Sequence, residues 1–306
     1  MSESQVELVL DARNGTGESP VWQAAEQALY WVDIPAKRLC RWSVAEGVLT
    51  EWAAPEMLAC VASIGATQDW IAGTESGVFR LSPQAGGQLG FTQLAAVTHA
   101  MPGMRFNDGR CDRQGRFLAG TMLMNMAAGA RVGCIYSYQK DSDRGGDKNA
   151  RLKMLLDGFI TPNGMAFSPD GRTLYLSDSH PSVQTVWAFD YDTETGTPSN
   201  RRVFVDMNPL PGRPDGAAVD ADGCYWICGN DAGLIHRFTP AGKLDRSLAV
   251  PVKKPAMCAF GGAGLDTLFV TSIRPEGIDL SDQPLAGGVF ALRPGVRGLP
   301  EPACLY

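Results

Sequence analysis

The chain has 306 residues, of which 44% are hydrophobic and 20% are charged, so it is long enough to bury a sizeable core. The net charge is −6 and no basic run exceeds Lys253-Lys254, which argues against a nucleic-acid partner. No apolar run has the length of a membrane span, and the N-terminus has neither the basic start nor the apolar core of a signal peptide. We therefore expect no membrane association and a cytoplasmic location.

Cysteine and histidine usage excludes two kinds of site. The eight cysteines are scattered, and Cys224 and Cys228 would lie roughly 13 Å apart along one strand, too far for a disulfide. We expect buried thiols. The three histidines, His99, His180 and His236, are far apart in sequence, so a histidine-rich zinc site is not expected.

Short alternating segments dominate the chain, and helical periodicity is hard to find. Residues 29–34 and 38–42 form one predicted strand pair, and residues 70–74 and 77–81 form the next. Further strands are predicted at residues 133–137, 185–190, 202–206, 234–238 and 288–292.

These segments fall into six units of about four strands, with a period of roughly 45 residues. The units cover residues 17–54, 58–97, 105–158, 161–207, 213–251 and 254–304. This pattern predicts an all-β fold, a six-bladed β-propeller with four-stranded antiparallel blades, forming a single domain over residues 1–306. Segment 6–10 is predicted to supply the outer strand of the last blade, and 139–150 an exposed hairpin loop.

One pattern occurs three times. Asn107, Asn163 and Asp215 each stand just before a short apolar run, and a turn glycine follows eight residues on, at Gly115, Gly171 and Gly223. Equivalent positions of successive blades face one central point, so these three side chains should converge.

The same alignment places Glu18 at the equivalent position of the first blade, eight residues before Glu26. In the second and sixth blades the position falls near Cys60 and Ala256, which are poor ligands. The central channel should therefore have one polar side. Carboxylate and amide oxygens there are typical of a site for a hard divalent cation, and three protein ligands leave positions open for water and substrate.

Two neighbouring residues have less specific interpretations. Arg105 flanks the same inner strand as Asn107 and either hydrogen-bonds a substrate or forms a salt bridge between blades. Asp108 either binds a second ion or caps a turn.

The motifs that carry chemistry resemble a known family in order and over nearly the whole chain. They are residues 17–22 (GESPVW), 105–109 (RFNDG), 119–122 (AGTM), 162–171 (PNGMAFSPDG) and 214–216 (PDG). This set resembles the gluconolactonase family, which includes regucalcin (senescence marker protein) and bacterial sugar lactonases. Residues 284–290 (PLAGGVF) look like the bacterial pentonolactonase branch.

The resemblance implies a carboxylic ester hydrolase (EC 3.1.1 type) that opens the internal ester of an aldonolactone, its small-molecule partner. It implies one divalent cation held by Glu18, Asn163 and Asp215, with calcium as the first candidate and zinc, manganese, magnesium or iron(II) as alternatives. By motif match, Asp215 would also be the general base, while Arg105 and Asn107 would contact the substrate.

One residue departs from the family pattern. Regucalcin-like members carry a glutamate shortly after the Gly-Thr-Met strand, and here Asn125 takes that place. We expect Asn125 to follow an inner strand at 117–121, to project over the channel mouth and to contact the sugar. This departure affects the preferred sugar rather than the hydrolysis itself.

Two other functions are compatible with the same constellation. A channel cation also supports hydrolysis of organophosphates or aryl esters. A propeller that binds calcium or a sugar without turnover would carry the same ligands, because fold and ligand set do not by themselves establish catalysis.

Overall fold

The structure, a computed structural model, describes residues 6–139 and 152–305. It consists of six four-stranded antiparallel sheets arranged as the blades of a propeller. The first strand of each blade packs against the first strand of the next, and that of the sixth blade packs against that of the first. This closed ring confirms the predicted fold class and places six inner strands around one axis.

The strands of the first three blades follow a short strand, β1 (Glu7–Leu10). Their bounds are β2 (Gly17–Gln23), β3 (Ala28–Asp33), β4 (Arg38–Ser43) and β5 (Val48–Ala53) in blade 1; β6 (Leu58–Ser63), β7 (Trp70–Thr74), β8 (Gly77–Pro83) and β9 (Leu89–Ala96) in blade 2; and β10 (Met104–Cys111), β11 (Phe117–Leu123), β12 (Gly133–Tyr138) and β13 (Leu152–Phe159) in blade 3.

The remaining blades repeat the same meander. Their strands are β14 (Pro162–Phe167), β15 (Thr173–Asp178), β16 (Thr185–Asp192) and β17 (Thr197–Asp206) in blade 4; β18 (Arg213–Val219), β19 (Tyr225–Asn230), β20 (Leu234–Phe238) and β21 (Leu244–Ala249) in blade 5; and β22 (Pro255–Gly261), β23 (Thr267–Ser272) and β24 (Val289–Leu292) in blade 6. Short 3₁₀ turns are found at Ala85–Gly87 and Met126–Ala128.

The N-terminal strand closes the ring. Strand β1 pairs antiparallel with β24, with Leu8 opposite Phe290, and so becomes the outer strand of blade 6. This confirms the role expected for segment 6–10. The loop predicted at 139–150 falls, apart from Gln139, outside the described residues. In the part of the chain that the structure describes, no helix is long and apolar enough to cross a membrane.

The hydrophobic core lies between neighbouring blades. Tyr30 of blade 1 packs on Trp70 of blade 2, with ring centroids 4.3 Å apart, and Trp226 of blade 5 meets Phe260 of blade 6 at 6.0 Å. Seven of the eight cysteines are buried, and none forms a disulfide. These seven thiols are therefore part of the core, as expected from the sequence.

Each inner strand loses its regular pairing near its beginning. The register shifts directly after Glu18 in β2, Phe106 in β10, Asn163 in β14 and Pro214 in β18, and comparable shifts occur in β6 and β22. Bulges of this kind re-aim side chains and are frequent beside active sites. Here they act on the channel-facing end of the inner strands.

The turns at the other end of the inner strands are the predicted ones. The three glycines of the repeated pattern all have positive φ, and their N–H groups donate to the carbonyl three residues back. Their φ values are 82° at Gly115, 73° at Gly171 and 81° at Gly223.

The C-terminal strap, residues 297–305, does not continue blade 6, contrary to the predicted unit 254–304. Gly298 bridges to Asp220 of blade 5 and Cys304 to Ile64 of blade 2. The Glu301 carboxylate lies 3.3 Å from the Arg110 guanidinium of blade 3. Residues 301 and 302 line a small cavity together with inner-strand residues of blades 1, 2, 3 and 6. The strap thus lies across the end of the channel opposite to the bulges.

Two buried carboxylates fix the backbone that leads into the inner strands. Asp178, the last residue of β15, accepts hydrogen bonds from the backbone N–H groups of Ile160, Thr161 and His180 at 2.8, 3.0 and 3.0 Å. Asp33, the last residue of β3, does the same for the segment preceding β2. Both carboxylates thereby hold the start of a strand that carries a candidate ligand.

Replacing Asp178 with alanine should lower the free energy of unfolding by about 3 kcal/mol, because it leaves backbone donors without their charged acceptor. Denaturant unfolding of the purified variant measures this. Asp190→Ala is the matched control, since Asp190 forms an exposed ion pair with Arg202, and it should change the stability little. Equal effects of the two substitutions would contradict the anchoring role of Asp178.

Candidate functional site

The four residues aligned in the sequence lie at equivalent positions, near the beginning of the inner strands β2, β10, β14 and β18. Asn163 Nδ2 donates to Asp215 Oδ1 at 2.5 Å. The pKa of Glu18 is raised well above its usual value, first by burial and next by the negative charges of Asp215 and Asp108. Glu18, Asn163 and Asp215 therefore share one pocket at the axis, as the repeat spacing predicts.

Left-handed backbone follows two of these side chains. Gly164 has φ 60°, and a Cβ there would lie 2.5 Å from Tyr225 Oη and 2.8 Å from Ser177 Oγ, so only glycine fits. In blade 1 the residue after Glu18 is Ser19, with φ 53°, and its hydroxyl bonds both backbone groups of Val61 in the next blade. Those two hydrogen bonds offset the strain of a non-glycine residue in this conformation.

Asp215 has a pKa far above that of an ordinary carboxyl group. Burial raises its pKa to about 7, against the lowering effects of Asn230, Arg213 and Asn163, and Asp108 raises it further. Asp215 is buried, with 8% of its surface exposed.

Asn230 was missed by the sequence analysis. It ends β19, is buried, and its Nδ2 donates to Asp215 Oδ2 at 2.5 Å. Asp33 and Asp178 end the corresponding second strands of blades 1 and 4. The sequence does contain a signal for this role, because this repeat position is aspartate in blades 1 and 4 and asparagine in blade 5. The change replaces an acceptor for backbone N–H groups with a donor to Asp215.

Arg105 and Asn107 are held together beside this pocket. Arg105 donates to Asn107 Oδ1 at 2.9 Å, and Asn107 Nδ2 donates to the Pro162 carbonyl of blade 4 at 3.1 Å. Burial lowers the pKa of Arg105, while the nearby charge of Glu18 raises it. The guanidinium is thus oriented at the axis, in a place where it can face an oxygen-rich ligand.

Asp108 neither caps a turn nor has a complete set of partners. Its Oδ2 accepts the Met165 N–H of blade 4 at 2.7 Å, whereas its buried Oδ1 has no hydrogen-bond partner in the described part of the chain. Burial raises its pKa, and Arg110 lowers it. Asp108 therefore links two blades and adds negative charge to the axis.

Asn125 lies elsewhere than the sequence analysis expected. Strand β11, which precedes it, is the second strand of its blade, since β10 is the inner one. Asn125 is exposed and precedes the 3₁₀ turn Met126–Ala128, beyond the pairing of Leu123 with Met104. It therefore stands at the same end of the blade as Arg105, but on the rim rather than over the inner strand.

The donor set fits a hard divalent cation. Within the described ranges no three histidine, cysteine or acidic side chains cluster as a metal site, so a site here depends on an amide oxygen beside two carboxylates. Asn163 Oδ1 accepts the Gly164 N–H at 3.0 Å and keeps a second lone pair. A cation between Glu18 and Asp215 would relieve the repulsion that raises the pKa of Glu18.

Together, the ring of six blades and the polar pocket at its axis define a β-propeller with a central candidate site. Residues 16–274 match the family described as SMP-30/Gluconolactonase/LRE-like region, and the chain belongs to that family. It is 38% identical over 293 residues to a 6-deoxy-6-sulfogluconolactonase of Pseudomonas putida, with 94% of each chain covered. It is 34% identical over 312 residues to human regucalcin, with 98% of each chain covered.

Solved structures agree with the fold. A calcium-binding protein, regucalcin, from Agrobacterium tumefaciens superimposes with a TM-score of 0.88 at 28% identity, covering 99% of this chain and 98% of its own. A gluconolactonase from Xanthomonas campestris gives a TM-score of 0.72 at 22% identity, covering 96% and 90%, and supports the fold alone.

Proposed function

We propose that this protein is a sugar lactonase that hydrolyses the ring ester of an aldonolactone, with a divalent cation held by Glu18, Asn163 and Asp215. Membership in the gluconolactonase family and the similarity to a sulfogluconolactonase support the reaction class. The observation that carries the residue assignment is the pair of buried carboxylates around one amide oxygen, with Asp215 at a pKa of about 7.

When bound, the cation would polarise the lactone carbonyl and lower the pKa of a water molecule. Asp215 takes the proton of the attacking water. Asn230 and Asn163 donate to its two oxygens and so hold the carboxylate in one orientation. The similarity to calcium-binding regucalcin makes calcium the first ion to test.

The substrate side of the pocket is formed by blade 3. Arg105 presents a fixed positive charge, and its hydrogen bond to Asn107 determines the direction of the guanidinium. An oriented donor of this kind stabilises the negative charge that develops on the substrate oxygen during attack, and it needs little reorganisation. We therefore assign substrate contact to Arg105 and Asn107, with Asn125 at the rim.

Lactone hydrolysis, followed as acid release, should appear with a panel of pentono- and hexonolactones, and the sulfonated gluconolactone named for the Pseudomonas putida relative belongs in that panel. Chelation should abolish the activity, and adding a divalent cation should restore it. The far-UV spectrum should survive chelation, because the inter-blade core does not involve the ion. Full activity in a verified metal-free preparation would contradict the proposed role of the cation in hydrolysis.

Asp215→Asn should leave a folded protein that retains some cation but loses turnover by about 10²–10⁴, because an amide does not accept the proton of water. Steady-state kinetics at saturating cation measure this. A near-normal kcat would transfer the role of base to another group, with Asp108 next in line.

The pH dependence of calcium binding, compared between the wild type and the same variant, tests the raised pKa of Asp215. Protons compete with the cation for ionised ligands, so the affinity of the wild-type protein for calcium should fall as pH drops through about 7. Calorimetric titration over a pH series gives this profile. In Asp215→Asn the profile should be flatter, and identical profiles would show that Asp215 is not a ligand.

Asn125→Glu should change the ranking of lactones and leave the cation affinity unchanged. A carboxylate accepts hydrogen bonds from sugar hydroxyls but donates none, whereas the asparagine amide does both. The measurement is kcat/KM for several lactones in wild type and variant. Uniform scaling of all substrates, without a change of rank, would mean that residue 125 does not face the sugar.

A further inference from the structure

Two cations and one carboxylate form a cluster on the rim beside Asp215, which we call the cationic rim: Arg213, Asp231 and Lys254. Arg213 begins β18, and its Nε lies 2.5 Å from Asp231 Oδ2. The Lys254 ammonium contacts the other oxygen of Asp231. Because one carboxylate faces two cations, one positive charge is left without a partner charge within the cluster.

The cationic rim is joined to the pocket by hydrogen bonds. Lys254 Nζ donates to Asn230 Oδ1 at 3.5 Å, and Asn230 Nδ2 donates to Asp215 Oδ2. Two hydrogen bonds thus separate the ammonium group from the proposed base. Arg213 also lies close to Asp215 along the chain, two residues before it in β18. A substrate placed against Asp215 therefore lies beside this surplus charge.

The rim cations are accessible but held in place. The side chains of Arg213 and Lys254 are 24% and 25% exposed, and Arg213 is also bonded to the Ser179 carbonyl at 3.3 Å. Burial raises the pKa of Asp231, but its hydrogen bonds to Arg213 and Lys254 outweigh this and lower it. The adjacent Lys253 differs, since it forms a balanced pair with Asp282 and is 56% exposed.

We infer that the cationic rim is a specificity subsite for an anionic substituent of the lactone, a sulfonate, phosphate or carboxylate carried outside the ring, with Lys254 and Arg213 as its donors. This rests on the proposed function. Charge-assisted hydrogen bonds from a fixed ammonium and guanidinium are the usual means of recognising such groups. Neutral Asn125 and cationic Arg105 add no negative charge to repel the anion at the mouth.

The test compares matched hexonolactones that differ only at the terminal carbon, which carries a hydroxyl, a sulfonate, a phosphate or a carboxylate. The measured quantity is the ratio of kcat/KM for each anionic lactone to that for the neutral one. In Lys254→Met this ratio should fall about tenfold, mainly through KM, the effect of losing one charge-assisted hydrogen bond at a partly exposed site. Lys253→Met removes the same charge one residue away and should leave the ratio at the wild-type value.

Ionic strength supplies a readout that a purely structural role would not affect. Added salt should raise KM for the anionic lactones and not for the neutral one, and this salt dependence should shrink in Lys254→Met. The three anionic arms identify which substituent is preferred. Hydrolysis of all lactones with an unchanged ratio in Lys254→Met would overturn the subsite while leaving the lactonase assignment intact.

A second measurement tests the subsite independently of turnover. Calorimetric titration of the wild type and Lys254→Met with a sulfonated aldonic acid, compared with gluconic acid, should show tighter binding of the sulfonate in the wild type only. If no lactone were hydrolysed but this difference were found, the proposed function would fail and the anion site would remain. Equal binding of both acids by both proteins would overturn the anion site.

Discussion

Ring closure places the beginnings of six inner strands around one axis, so side chains at equivalent positions must meet there whether or not their charges are alike. Glu18 and Asp215 meet in this way, with the charge of Asp108 acting on both, and burial raises the pKa of all three. Amide donors, guanidinium groups and a site suited to a cation all offset the repulsion between these buried carboxylates. The chemistry proposed for the protein follows from which of these groups each blade provides.

The inner and second strands contribute differently to the solution. The inner strands carry the groups that face the axis, and the ends of the second strands support them from behind. Asp33 and Asp178 stabilise the backbone before β2 and β14. Asn230, at the same place in blade 5, instead donates to the side chain of Asp215. One repeat position therefore serves backbone geometry in two blades and the orientation of the proposed base in a third.

Much of the fold was predictable because it depends on the spacing of polar residues and turn glycines along the sequence. The eight-residue offset between the polar position and the turn glycine predicted both the hairpins and the convergence of Asn163 with Asp215. The spare segment 6–10 predicted the closing strand. Spacing says nothing, however, about contacts made across the ring. It therefore missed Asn230, and it left the partner of Asp108 open.

Two expectations failed for a related reason. Residues 117–121 were expected to form an inner strand, but the pairing order and the contacts between blades show that β10 is the inner strand of blade 3. The last residues, up to 304, were assigned to blade 6 from the period of the repeat alone. In fact they form backbone hydrogen bonds with the turns of blades 2, 3, 5 and 6 in succession, an arrangement that no local pattern encodes.

The C-terminal strap has a kinetic consequence. Glu301 is bound to Arg110 at the far end of the inner strands, and residues 301 and 302 line a small cavity there together with residues of four blades. For the proposed lactonase, the strap leaves the end beside Arg105 and Arg213 as the side from which a lactone would enter and the acid would leave. The acid carries a new carboxylate, so the cationic rim that we infer to attract an anionic substituent would also slow the departure of this product. Release of the acid would then contribute to the turnover rate alongside bond breaking.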